Sequence, residues 1–158
     1  MKRRIFLLNL ITLMDIAMIS IKPVFGSPTP SIITKTDEEW QRLLTEEQYH
    51  ILRQEGTEPP FSSPLNTEKR QGSYHCAGCQ LELFTSTMKY DSGTGWPSFV
   101  TTISEHIATK KDFRMILPRT EYHCARCGGH QGHVFDDGPP PTHQRWCNNG
   151  LALQFIPR

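Results

Sequence analysis

Two short motifs, CAGC at 76–79 and CARC at 124–127, constrain this 158-residue chain more than anything else in it. Each places two residues between a pair of thiols. Gly78 lies within the first turn, and Gly128 and Gly129 lie just after the second. Such a turn lets two thiolates of one hairpin reach one tetrahedral metal, and two such knuckles complete a four-cysteine set. A closed four-thiolate site has no open coordination position, so it is structural and not catalytic. Two alternatives exist. The pairs could be disulfides, which an exported chain permits, or the motifs could form a nucleic-acid zinc ribbon. Ribbon pairs sit about 15–20 residues apart, whereas 44 residues separate Cys79 from Cys124. Zinc is therefore favoured, acting as a staple between two distant parts of one fold.

The chain begins MKRRIFLLNLITLMDIAMISIKPVFGSPTP. A basic start runs into an apolar stretch and then small residues around Gly26 and Ser27, the layout of a secretory signal peptide. Val24 and Gly26 flank the expected cleavage point. Asn9 and Asp15 interrupt the apolar run, which disfavours a spanning helix. Residues 1–26 thus read as a signal peptide, with an N-terminal membrane anchor as the alternative, and residues 27–36 read as a linker. Export to a periplasm is the expected destination, with a membrane-anchored or organellar location as alternatives. Residues 1–26 carry Lys2, Arg3, Arg4 and Lys22 against Asp15, leaving 13 basic and 15 acidic groups in the remainder. A chain without excess cations is a poor phosphate-backbone binder, so no nucleic-acid partner is expected. A hydrophobic content of 37% suits one globular domain, residues 37–158.

Thr36 with Glu39 and Thr45 with Gln48 have capping-box spacing. Trp40, Leu43 and Leu44, then Tyr49 and Leu52, follow at helical intervals, and Gly56 is a stop signal. The spacing predicts two short helices within 37–55 and an extended segment over 57–61. From residue 72 onward, short alternating segments predict strands within 73–84, over 114–119 and over 151–157. The DDGPPPTH segment at 136–143 predicts a loop. The fold class expected is β-rich α+β with a small helical N-terminal layer.

The fifth cysteine of the domain, Cys147, has no CxxC partner. An unpaired thiol is either an inert core residue or a working nucleophile. Arg145, two residues away, can stabilise a thiolate. Just upstream, His130 and His133 sit three apart among glycines, too few for a metal site but suited to proton transfer near pH 7. Trp96, between Gly95 and Pro97, is an indole on a stiff support.

SGTGWPSF (92–99), CARCGGHQGHVFDDGPPPT (124–142) and RWCNNGLALQFIP (145–157), together with both CxxC pairs, resemble the methionine-R-sulfoxide reductases of the B type, over roughly residues 37–158. The resemblance implies two antiparallel sheets in a tent-like arrangement, N-terminal helices, and one structural zinc held by Cys76, Cys79, Cys124 and Cys127, with no organic cofactor. It implies repair of oxidised proteins by reduction of the R epimer of methionine sulfoxide. By that resemblance Cys147 is the nucleophile. His133 is the acid that protonates the sulfoxide oxygen, and His130 is its polar supporter. Arg145 holds the thiolate, Asn149 helps place the polar groups, Asp137 matches a further site position, and Trp96 walls the slot for the S-methyl group. Attack would leave a Cys147 sulfenic acid.

The family's resolving cysteine is absent. Its position is Thr94, which implies a one-cysteine cycle completed by an external thiol such as thioredoxin or a glutaredoxin–glutathione couple. Trp146 stands where tyrosine is usual and Gly150 where serine is usual. Gly150 is expected to loosen the segment after the nucleophile. The competing readings are a zinc-stabilised binding module without catalysis and a thiol hydrolase using Cys147 and His133.

Overall fold

The computed structural model describes residues 30–158. The leader expected at 1–26 and the first residues of the expected linker lie outside the described residues. Residues 30–36 form neither helix nor strand, and Ile33 N donates to Arg126 O at 2.8 Å beside the second cysteine turn.

Both expected helices form. α1 (Asp37–Leu43) and α2 (Glu46–Gln54) each begin with a complete capping box, Thr36–Glu39 and Thr45–Gln48. These reciprocal bonds satisfy amide donors that a helix start leaves without partners. α1 buries Trp40, and α2 buries Ile51 and Leu52. Helices this short draw their stability from such packing. α2 ends at Glu55, which takes the left-handed conformation (φ 56°), and the Gly56 amide closes on His50 O.

Among the described residues, nine strands make two antiparallel sheets: β1 Gly72–Cys76, β2 Glu82–Thr85, β3 Lys89–Tyr90, β4 Ser98–Phe99, β5 Ile107–Asp112, β6 Arg119–Cys124, β7 His130–Phe135, β8 Arg145–Asn148 and β9 Leu153–Pro157. The small sheet has the order β2-β1-β9 and the large one β3-β4-β8-β7-β6-β5. The expected β-rich architecture of two antiparallel sheets with short helices is the one observed. An aromatic core joins the sheets. Phe84 of β2 stacks on Phe99 of β4 at 3.9 Å between centroids, and Tyr74 of β1 meets Phe99 edge-on at 5.0 Å. All three rings are fully buried.

Two expectations need correction. The apolar segment 114–119 is not a strand: residues 114–117 form the bent tip of the β5–β6 hairpin, and only Arg119 enters β6. The segment 151–157 starts with a 3₁₀ turn, Gly150–Ala152, before β9. In both places the apolar pattern is right for a strand, but the chain must first turn between antiparallel neighbours.

Candidate active site

β8 lies between β4 and β7 in the large sheet, so Cys147 has a neighbour on each side: Ser98 on β4 and His133 on β7. Cys147 and His133 are directly paired across the ladder. Side chains of an antiparallel pair project from the same face about 5 Å apart at Cβ. Two positions along each strand, Arg145 faces Phe135 in the same way, and the Arg145 guanidinium lies 4.3 Å from the Phe135 ring centre. Alternation therefore puts Cys147, His133, Arg145 and Phe135 on one face.

Trp96 reaches that face from the turn leading into β4. The Asn148 amide donates to Pro97 O at 2.9 Å, fixing this turn against β8. Gly95 has φ +94°, and a side chain there would press on Pro60 and on the Phe61 amide, 2.8 and 2.9 Å from a Cβ. Only glycine fits this approach. The indole Nε1 donates to Glu58 O at 3.1 Å. Trp96, Phe135, His133, Arg119 and Cys147 line a solvent-open cavity of about 120 Å³, with Thr57 and Asn149 at its wall.

The structure brings Cys147, His133, Trp96 and Asn149 to this cavity. His130 is buried behind it, its ring edge-on to His133 at 5.5 Å, and its Nδ1 is 3.0 Å from Glu121 Oε1 without hydrogen-bond alignment. Asp137 does not line the cavity either. It holds Arg145 through two bonds, Nε to Oδ1 at 2.8 Å and Nη2 to Oδ2 at 2.9 Å. Both atoms of the Asn149 amide are used internally: Oδ1 accepts from the Glu58 amide and Nδ2 donates to Gln131 O. Asn149 therefore braces the wall.

Three residues that sequence reasoning missed complete the site. The His133 Nε2 donates to Asp112 Oδ2 at 2.8 Å, and Arg119 Nη2 donates to the same oxygen at 2.6 Å. The Arg114 amide bond and the contacts to His133 and Arg119 hold the Asp112 carboxyl far below its ordinary range, against burial. Asp112 thus stays an acceptor, and His133 is the tautomer with its proton on Nε2 and a lone pair on Nδ1. Glu58 is buried, and its carboxylate accepts from the Gly150 amide at 2.5 Å and the Leu151 amide at 3.0 Å. One residue thus ties the Trp96 ring, Asn149 and the turn after Cys147 together. An acid between basic residues at 110–114, and one ahead of two prolines at 58, were the only sequence signals for them.

Gly150 does not loosen this turn. It is fully packed, and a Cβ there would overlap the Ser63 hydroxyl. The electrostatic expectation changes too. Burial raises the Cys147 thiol above its usual value, outweighing the Arg145 charge and hydrogen bonds from Thr94 and Arg145 that act the other way. Burial also lowers His130 and His133, opposed by Glu121 and Asp112 respectively. Both shifts favour the uncharged forms of the thiol and the imidazole, against the thiolate that Arg145 alone would favour.

The other four cysteines gather elsewhere. Their Sγ atoms all lie within 4.8 Å of one another, with Cys76 to Cys127 at 3.7 Å and Cys79 to Cys124 at 3.4 Å. All are free thiols, three of them buried. Ligands about 2.3 Å from a tetrahedral ion are spaced about 3.8 Å apart, so the residues fit such an ion and leave no open position.

The SelR domain family matches residues 44–157. The chain is 52% identical over 124 residues to a Methanosarcina barkeri protein named peptide methionine sulfoxide reductase MsrB, covering 78% of this chain and 87% of that one. It is 50% identical over 127 residues to the Pseudomonas putida protein of the same name, covering 80% and 96%. With rice peptide methionine sulfoxide reductase B1, chloroplastic, it shares 50% over 131 residues, covering 82% and 61%. On this match, which spans both CxxC pairs and the cavity, the chain belongs to the methionine sulfoxide reductase B family.

Proposed function

We propose that this protein reduces the R epimer of methionine sulfoxide in peptides and proteins, with Cys147 as nucleophile and His133 as proton carrier. The observation that carries this reading is the cross-strand pairing of Cys147 with His133 beside the Trp96 ring in a small open cavity. A sulfoxide has an electrophilic sulfur and a basic oxygen. The Trp96 and Phe135 rings suit its methyl group, and the cavity leaves room for little else. His133 Nδ1 takes the Cys147 proton as Sγ attacks the sulfoxide sulfur. The same proton then goes to the departing oxygen. The S–O bond and the new Sγ–S bond then both break as the hydroxyl passes from the substrate sulfur to Sγ, so methionine leaves and Cys147 remains as a sulfenic acid. Asp112 stabilises the transient imidazolium. Arg145, held by Asp137, favours the developing thiolate.

Thr94 supports a one-cysteine cycle, because its hydroxyl stands at the resolving position and can form no disulfide. An external thiol attacks the sulfenic acid, releasing water and leaving a mixed disulfide. A second thiol frees Cys147 and leaves as the oxidised disulfide. A thioredoxin- or glutaredoxin-like protein is the class of reductant required. Cys76, Cys79, Cys124 and Cys127 hold one structural zinc in this reading, and the reaction does not pass through it.

Purified protein with racemic dabsyl-methionine sulfoxide and dithiothreitol should consume the R epimer and spare the S epimer. Consumption of the S epimer alone, or of neither, would overturn the assignment. The binding-module reading expects Cys147→Ser to leave function intact, whereas here it abolishes turnover. Mass spectrometry after turnover should find Cys147 without an intramolecular disulfide.

A further inference from the structure

The longest run of exposed apolar side chains among the described residues begins one residue from this site. At the tip of the β5–β6 hairpin, Phe113 is 73% exposed, Met115 60%, Ile116 100% and Leu117 77%. The tip springs from Asp112 and Arg119, the terminal register pair of the hairpin. Asp112 holds His133, and Arg119 lines the cavity. The base of the tip is anchored, since Asp112 Oδ1 accepts from the Arg114 amide at 2.9 Å. A second exposed ring, Phe61 (73%), adjoins the opposite member of the site: its amide donates to Gly95 O, next to Trp96.

Contiguous exposed apolar surface of this kind marks an interaction site. The charges around it select the partner. Of the four cations at 110–119, three are committed to carboxylates, Arg119 to Asp112, Arg114 to Glu55, and Lys110 to Glu55 and Glu121, while Lys111 bonds the Thr120 hydroxyl. Cations committed to carboxylates are poorly placed to meet anionic lipid headgroups, which argues against a membrane surface. The substrate chemistry points to a polypeptide. Methionine is mostly a buried residue with apolar neighbours, and its oxidation disrupts that packing. A protein-bound methionine sulfoxide therefore arrives flanked by apolar side chains that have lost their core.

We propose that the Phe113–Leu117 tip docks the apolar residues flanking methionine sulfoxide in a loosened or unfolded polypeptide. This rests on the activity proposed above. The test compares two peptides that carry the same methionine-R-sulfoxide, one between leucine and valine residues and one between serine and asparagine residues. Each rate is normalised to the same enzyme's turnover of N-acetyl-methionine-R-sulfoxide. The wild-type protein should favour the apolar peptide by about tenfold in kcat/KM, through KM, the factor that about 1.4 kcal/mol of buried apolar surface gives. In the Phe113→Ser/Ile116→Ser/Leu117→Ser variant that ratio should fall to about one. A wild-type protein without the preference, or a variant that keeps it, overturns the proposal. A variant that keeps the preference but loses binding to phosphatidylglycerol vesicles assigns the tip to lipid instead. Failure of the wild-type protein on all three substrates sinks the parent activity, which keeps the two failures apart.

Discussion

The four-cysteine cluster and the Cys147 cavity put one side-chain chemistry to two uses, and their surroundings account for the difference. In the cluster, two tight turns at the ends of β1 and β6 bring four sulfurs together, and burial seals three of them. Each sulfur lies among the other three, so the set is complete once an ion is bound. Cys147 instead sits in mid-strand in a solvent-open cavity, half-buried, with an imidazole opposite and an arginine two residues away. It has a titratable ring beside it and an aromatic wall facing it, but no second sulfur. A thiol works as a staple when its neighbours saturate it and as a reagent when they leave one side open. The two regions are also joined. The buried Gln131 side chain donates to Cys76 Sγ at 3.4 Å and accepts from Asn148 Nδ2 at 3.4 Å, next to Cys147.

The widest separation between the two regions should appear on removing one sulfur from each. Cys79→Ser should release the metal and melt the fold, because structural zinc contributes on the order of 10 kcal/mol. Cys147→Ser should leave the thermal midpoint and a zinc content of about one per chain unchanged while turnover falls by about 10³-fold or more. Zinc analysis, calorimetry and turnover on both variants decide this. A stable, metal-free Cys79→Ser protein would show that the cluster is no staple.

Asp112→Asn removes the carboxylate that fixes the His133 tautomer. Activity should drop by about 10–100-fold. Since Asp112 raises the His133 pKa against burial, its loss should move the acid limb of kcat/KM to lower pH. A limb that stays in place would mean that His133 is not the group titrating.

Gly150→Ser tests how tightly the turn after the nucleophile is packed. Overlap with Ser63 should cost about 1–3 kcal/mol of stability, and Ser63→Gly in the same chain should recover most of it. A neutral Gly150→Ser change would mean that this turn is looser than the cluster's turns, the opposite of what its packing implies.

The smallest expected effect is on stability against pH. Burial lowers the folded-state pKa of His123, His130 and His133. The unfolded chain therefore binds more protons just below the ordinary histidine value of about 6.5, so stability is full above that value and falls as pH drops toward the folded pKa values. Denaturant midpoints between pH 8 and 5 should decline over the acid half of that range. A rise there would contradict the burial of these rings.

Local signals gave the helices, the cysteine pairs and the unpaired thiol, because each is written within a few residues: a hydroxyl three before a glutamate or glutamine, two thiols three apart, a cysteine left over. The apolar run at 114–119 misled for the same reason. Its pattern reports side-chain chemistry, and nothing local says that the hairpin must turn there and leave those side chains in water. Asp112, Arg119 and Glu58 were illegible because their partners lie 7 to 93 positions away along the chain. Sequence alone determined which residue types were available for redox and metal chemistry. The strand register decided that His133 would face Cys147 while His130 fell behind it. Burial, a property of the assembled fold alone, shifted Cys147 and His133 toward their uncharged forms.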